Sequence, residues 1–187
     1  MLILASNSPR RREILSEFGY CFSVVKSDFV EYDAFFDPIK TVLQFSKGKA
    51  ESVFNKGLGD KIVLGADTVV YFDGKILGKP KNHLEAEKTL KMLSGKMHKV
   101  FTGYAVLSDK IKVYGVDCSE VKFNLLSDDL INDYVKSGKP LDKAGSYGIQ
   151  DGFPLVESVK GSIYNVIGLP IEKLKLVLDE LLNKIGT

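Results

Sequence analysis

The first apolar run, Met1 to Ala5, is short and unbroken, and after a polar turn Ile14, Leu15 and Phe18 return at helical spacing before Gly19. That change of period predicts a strand, a turn and a helix. Asp37 and Pro38 suit the cap and first position of a second helix, which the pattern carries to about Asn55 and Gly57 closes. "KIVLGADTVVYFDGKILGKP" opens on a buried strand, and its Asp73-Gly74 pair between apolar flanks predicts a hairpin. Leu84 to Ser94 reads as a helix ended by Gly95, and "HKVFTGYAVLSDKIKVYGVDCSEVKFNL" as two or three antiparallel strands turning near Asp109-Lys110. Ser127 to Ser137 reads as a capped helix with Asp128 and Asp129 in its first turn. After the glycine-rich "DKAGSYGIQDGFPLVESVKGS", a strand reaching Gly168 and an amphipathic helix from Pro170 are expected. With no linker or internal repeat, the alternation predicts a single α/β domain over residues 1–187, built on a mixed sheet.

The turn after the first strand, "LASNSPRRR", poses an electrostatic problem. Ser8 is a good N-cap and Pro9 a good first helical residue, so the helix starts near Pro9. Arg10, Arg11 and Arg12 then crowd the positive end of the helix dipole, at a cost of about 0.3 to 1 kcal/mol each. Free amides, the Ser6 and Ser8 hydroxyls and forked guanidinium groups would together suit a phosphate. The plainer reading is a solvated basic turn. On either reading, removing a cation from this turn should leave the fold intact.

Composition narrows the function classes. A net charge of +2 with acids and bases interleaved gives no basic face for nucleic acid or membrane. Cys21 and Cys118 are isolated and match no metal or redox spacing, which is the usage of a reducing compartment. No apolar run approaches a membrane span or a signal peptide, so a cytoplasmic protein is expected.

Several polar residues sit where packing would not put them. Asp67 follows "IVLGA", at the C-terminal end of a buried strand where open α/β sheets place their ligand crevices, although an Asp capping local amides would look the same. Glu31 lies in an acidic loop with Asp28 and Asp33. Such loops are usually solvated, yet two carboxylates brought together in a cleft would hold a divalent cation. Lys49 and Lys79 are candidate phosphate partners, or surface lysines. Gln150, in "AGSYGIQDG", could read a nucleobase through its amide, or belong to a flexible hairpin.

In this order along nearly the whole chain, "LASNSPRRREIL", "GADTVV", "LGKP", "LSGKMHKVFTG", "DKAGSYGIQ" and "NVIGLP" resemble the Maf family of nucleoside triphosphate pyrophosphatases. The resemblance implies an elongated two-lobed α/β fold, a mixed twisted sheet flanked by helices with a central cleft, similar to inosine triphosphate pyrophosphatases. It implies hydrolysis between the α and β phosphates of a nucleoside triphosphate with a divalent metal, magnesium or manganese, in a nucleotide-pool cleaning role. Carried over by motif, Ser6, Arg10 and Arg11 would hold phosphates, Asp67 would be the proton acceptor and a metal ligand, and Glu31, Lys49 and Lys79 would complete the metal and phosphate site. Arg11, Thr68 and Gln150 would correspond to positions linked with substrate choice. "ADTVV" with "YGIQ" looks like the branch acting on dTTP and UTP, and a homodimer is implied by the resemblance alone. Two departures stand out: "FVEYD" replaces the family's usual Asp-Glu pair, and Asp151 follows Gln150 where glycine is common. Two other classes compete, a nonenzymatic nucleotide-binding regulator of cell division and a single-strand nucleic-acid binder using Arg10 to Arg12.

Overall fold

The computed structural model describes residues 1–32, 37–57 and 61–185; Asp33 of the acidic loop lies outside them. The N-terminal apolar run forms strand β1 (Leu2–Leu4), followed by helix α1 (Pro9–Glu17) and strand β2 (Phe22–Val24). Helix α2 (Pro38–Phe54) starts where expected, with the Asp37 carboxylate accepting the amides of Ile39 and Lys40. Strand β3 (Ile62–Phe72) turns into β4 (Lys75–Leu77) through Asp73 and Gly74, both at positive φ (48° and 75°), as a two-residue hairpin turn requires. Helix α3 (His83–Leu93) precedes the long hairpin of β5 (Met97–Leu107) and β6 (Lys112–Phe123). Helix α4 (Asp128–Lys136), capped by Ser127, leads through short 3₁₀ turns to β7 (Val156–Lys160), α5 (Ile163–Ile167) and α6 (Ile171–Ile185).

One expectation fails in the C-terminal third. The segment before Gly168 is not a strand. Ser162 caps α5 by accepting the Asn165 amide, and the buried Asn165 side chain donates to Val100 O and Ser119 Oγ. Winding the segment gives the Asn165 amide nitrogen two acceptors beneath the sheet, and the strand pairing falls instead to β7, inside the stretch read as a glycine-rich loop.

Among the described residues the seven strands form one mixed sheet of order β2-β1-β3-β5-β6-β7, with β4 also on β3. Strands β2, β1 and β3 are parallel, and the remaining pairings are antiparallel. Odd-numbered residues of β3 and β5 face α2. There Gly65 and Gly103 let the helix approach so closely that a Cβ on either would overlap its backbone at Ser46 or Val42. Even-numbered residues face two separate cores. Leu64, Ala66 and Val106 pack with α1 and α6, whereas Val70 and Val100 pack with α3 and α4. Between these cores the sheet turns polar, with Thr68 and Thr102 bonded to each other at 2.9 Å and Thr102 donating to Asn165 O. The two cores and the polar waist between them fit the expected lobes and cleft.

His98 sits in the α3–α4 core, stacked edge-to-face on Phe123 and Tyr147, with its Nε2 2.7 Å from the Tyr147 hydroxyl. Burial lowers its pKa to about 4. The unfolded chain takes up this proton below about pH 6.5 and the folded protein only near pH 4, so stability present at neutral pH is lost as pH falls through that window. His98→Gln should remove roughly 2 kcal/mol of the loss between pH 7 and pH 5. Urea midpoints of parent and variant at both pH values check it; identical pH slopes would refute it.

Candidate active site

The polar waist coincides with a change of neighbour on one edge of β3. The ladder to β1 ends at Leu64 and that to β4 begins at Val70. Among the described residues, Gly65 to Val69 have no strand on that edge, while the other edge stays paired to β5. A cavity of about 630 Å³ opens there. Successive residues of a strand point to opposite faces, so Asp67 projects toward α2 and Thr68 toward α1. Both reach the cavity.

On the Thr68 face the arginines of α1 part company. Arg11 is buried, with 8% exposed, and its guanidinium donates to Gly168 O at 2.9 Å, Ser6 Oγ at 3.1 Å and Thr68 Oγ1 at 3.2 Å. These acceptors are neutral. Burial lowers the guanidinium's pKa while the charge of Asp67 opposes the shift, although arginine stays protonated throughout. Arg10 lines the cavity and pairs with Asp142 at 2.7 Å, whereas Arg12 is exposed. With only Arg12 exposed, the three arginines form no row for a single strand of nucleic acid. The expected Ser8 cap is not made. Among the described residues no side chain caps the first turn; Ser6 Oγ instead accepts the Ser8 amide at 3.2 Å and the Arg11 guanidinium at 3.1 Å, just ahead of the helix.

On the Asp67 face, Lys49 comes one turn after Phe45 on the α2 stripe packed on the sheet. Its ammonium lies between two carboxylates, 2.6 Å from Asp67 and 2.7 Å from Glu31. Burial raises Asp67 above the ordinary carboxylate range, and Lys49 and Arg11 only partly offset it. Burial acts the same way on Glu31, but Lys49, Lys79 and Arg11 outweigh it and hold that carboxyl below the ordinary range. The environment therefore drives two neighbouring acids apart, as expected where one is to accept a proton and the other to stay ionised. Asp28 turns away to Lys56 at 2.6 Å.

Two carboxylates grouped around one cation suit a hard divalent ion. Among the described residues no group of three or more Asp, Glu, His or Cys could hold a metal. Such an ion would complete its shell with water and phosphate oxygens, which is the habit of magnesium.

Lys79, exposed after β4, and Gln150, exposed on the loop before β7, also line the cavity. All the residues singled out from the sequence, Ser6, Arg10, Arg11, Glu31, Lys49, Asp67, Thr68, Lys79 and Gln150, thus border one space. Sequence reasoning missed Asp142, Lys143 and Tyr147, which share it. Neither Asp142 nor Lys143 carries a local signal, because their partners Arg10 and Asp151 lie outside the "DKAGSY" segment.

Residues 1–181 match the family model described as Maf-like protein. A dTTP/UTP pyrophosphatase of Thermococcus onnurineus is 48% identical over 92% of this chain and 93% of its own. One of Clostridium tetani is 45% identical over 96% of each chain. Among solved structures, a HAM1 protein of Coxiella burnetii aligns with 96% of this chain and 98% of its own at 16% identity and a TM-score of 0.48.

The two arginines separate by a stability measurement, against the expectation that either could be removed freely. Arg10 pairs with a largely exposed partner, so Arg10→Ala should change stability by about 1 kcal/mol or less. Arg11 joins α1 to β3 and to Gly168 from a buried position, and Arg11→Ala should cost roughly 2 kcal/mol, about 4 to 8 °C in Tm. Equal melting temperatures for the two variants would refute this assignment.

Proposed function

Because the chain belongs to the Maf-like protein family, we propose that it hydrolyses dTTP and UTP to the monophosphate and pyrophosphate in the β3 cavity. One observation carries the reading. A buried carboxylate, Asp67, and a buried guanidinium, Arg11, flank β3 where one side of that strand is, among the described residues, left unpaired between β1 and β4, in a space large enough for a nucleotide. The names of the relatives support the substrate class.

In this reading the phosphates lie at the start of α1, where Ser6, Arg10, Arg11 and the helix amides meet negative charge. Arg10 exchanges Asp142 for phosphate, and Lys49 and Lys79 approach from the other wall. Asp67, made more basic by burial, takes a proton from the attacking water. The water oxygen bonds to phosphorus as the anhydride bond breaks, and the bridging oxygen leaves with its electron pair on pyrophosphate. A divalent cation held by Glu31 and Asp67 would neutralise charge on the transferring oxygens. Gln150 faces the nucleobase, and Thr68, held between Arg11 and Thr102, keeps the strand edge in place.

No helix among the described residues is long and apolar enough to cross a membrane. A single domain over residues 1–187, acting in the cytoplasm on the nucleotide pool and able to pair as a homodimer, completes the proposal.

A panel of canonical and modified triphosphates with product identification tests the reaction. dTTP and UTP should be cleaved faster than purine triphosphates, and 7-methyl-GTP or ITP as the preferred substrate would overturn the assignment. Binding without turnover would favour a nonenzymatic regulator. Chelating divalent ions should abolish activity. Asp67→Asn keeps the shape of the side chain but neither accepts a proton at neutral pH nor carries charge, so kcat should drop about a hundred- to ten-thousand-fold with folding and dTTP binding retained. Activity within a few-fold of the parent would exclude Asp67 as the base.

A further inference from the structure

The loop that carries Gln150 is more firmly tied than a hairpin of glycines needs to be. Tyr134, fully buried on α4, places its hydroxyl at the centre of the turn from Gly148 to Asp151. It donates to Asp151 Oδ2 at 2.6 Å and accepts the Gly148 amide at 3.0 Å. The turn is also closed by the Asp151 amide on Gly148 O at 3.2 Å. One hydroxyl therefore grips both ends of the four-residue segment in which Gln150 stands.

The Asp151 carboxylate has a second partner. Lys143 Nζ lies 3.3 Å from Asp151 Oδ2 and 2.9 Å from Asp142 Oδ1, and it donates to Lys139 O at 2.6 Å. From the helix side, Lys139 Nζ donates to Asp151 O at 2.7 Å. Packing agrees with the bonding, because a Cβ at Gly148 would run into the Asp151 carboxylate and the Lys143 stem, at 2.8 and 2.7 Å. Both the side chain and the carbonyl of Asp151 are thus engaged by neighbours, next to a residue exposed in the cavity.

We propose that Asp151 is a positioning residue for base selection: bonded to Tyr134, it immobilises the Gly148–Asp151 turn so that the Gln150 amide meets the nucleobase in one orientation. The inference rests on the triphosphate pyrophosphatase reading above. A primary amide offers a donor and an acceptor, and it discriminates between bases only if it cannot move to suit each of them. With the pin removed, the turn can shift, the correct base loses part of its advantage, and a wrong base is rejected less. The chemistry at Asp67 is on another element and is untouched.

The experiment compares kcat and KM for dTTP, UTP, dATP and GTP in the parent, D151A, D151N and Y134F, with circular dichroism and Tm on each preparation. D151A and Y134F should lower the pyrimidine-over-purine ratio of kcat/KM by about three- to tenfold, mainly through a raised KM for dTTP, with kcat within about twofold. D151N keeps an acceptor for the Tyr134 hydroxyl and should restore most of the ratio. Because the two residues share the Tyr134–Asp151 bond, the D151A/Y134F double variant should lose less selectivity than the product of the two single losses. A ratio within twofold of the parent in both D151A and Y134F, whatever happens to Tm, would overturn the inference and reduce the contact to a structural one. A parent protein that cleaves no triphosphate would instead bring down the reading of the site, and this inference with it.

Discussion

A charge taken out of water must be compensated where it is buried, and this fold buries charges of opposite sign on the two sides of one strand. Arg11 and Asp67 are each 8% exposed, and the backbone of β3 runs between them. Removing an ion from water costs several kcal/mol, which hydrogen bonds and neighbouring charges recover only where the geometry is good. Arg11 finds three neutral oxygens and no carboxylate in contact, while Asp67 shares the Lys49 ammonium with Glu31. Apolar side chains of similar volume would stabilise such a position at least as well. Stability therefore does not explain these residues, and their common exit into one cavity does.

The sheet makes that arrangement possible by a mismatch of strand lengths. Strand β3 is 11 residues long and shares one edge with two neighbours of 3 residues each, so the middle of that edge is left over. On its α2 face, Gly65 and Gly103 bring the helix close enough for Lys49 to reach Asp67. On the other face the hydrophobic surface breaks into two cores, and in the gap Thr68 bonds to Thr102 and Thr102 donates to Asn165 O. A continuous core there would have closed the cavity. The polar waist is both the boundary between the lobes and the floor of the site.

Much of this was legible along the chain because it is local. The hairpin at Asp73-Gly74, the Asp37-Pro38 start of α2 and the position of Asp67 after "IVLGA" each follow from conformational preference or period within a few residues. Where the reading failed, a distant partner decided. Ser8 is a good capping residue, yet among the described residues no side chain caps α1, and the serine bonding at this turn is that of Ser6 with the Ser8 amide and the distant-reaching Arg11 guanidinium. Residues 163 to 167 have the apolar content of a strand, but coiled they place the Asn165 amide nitrogen on Val100 O and Ser119 Oγ, acceptors far away in the chain. Asp142 and Lys143 showed no local pattern, since their partners Arg10 and Asp151 come from other parts of the chain. Glu31 was recognisable as an acid but not as a partner of Lys49, because that pairing depends on how the loop crosses α2.

The difference between Arg10 and Arg11 also bears on how a polyanion could enter. An ion pair whose carboxylate is more than half exposed is worth little, so Arg10 can leave Asp142 for a phosphate at small cost. Arg11 cannot follow it without abandoning buried acceptors on two elements. A fixed guanidinium requires no reorganisation when charge develops beside it, whereas a mobile one can meet a ligand at the rim and move inward with it. In the proposed reaction, consecutive arginines on one helical turn would then serve different parts of one event, capture by Arg10 and stabilisation by Arg11. The helix dipole that made the "PRRR" sequence costly in isolation adds to both once an anion is in place.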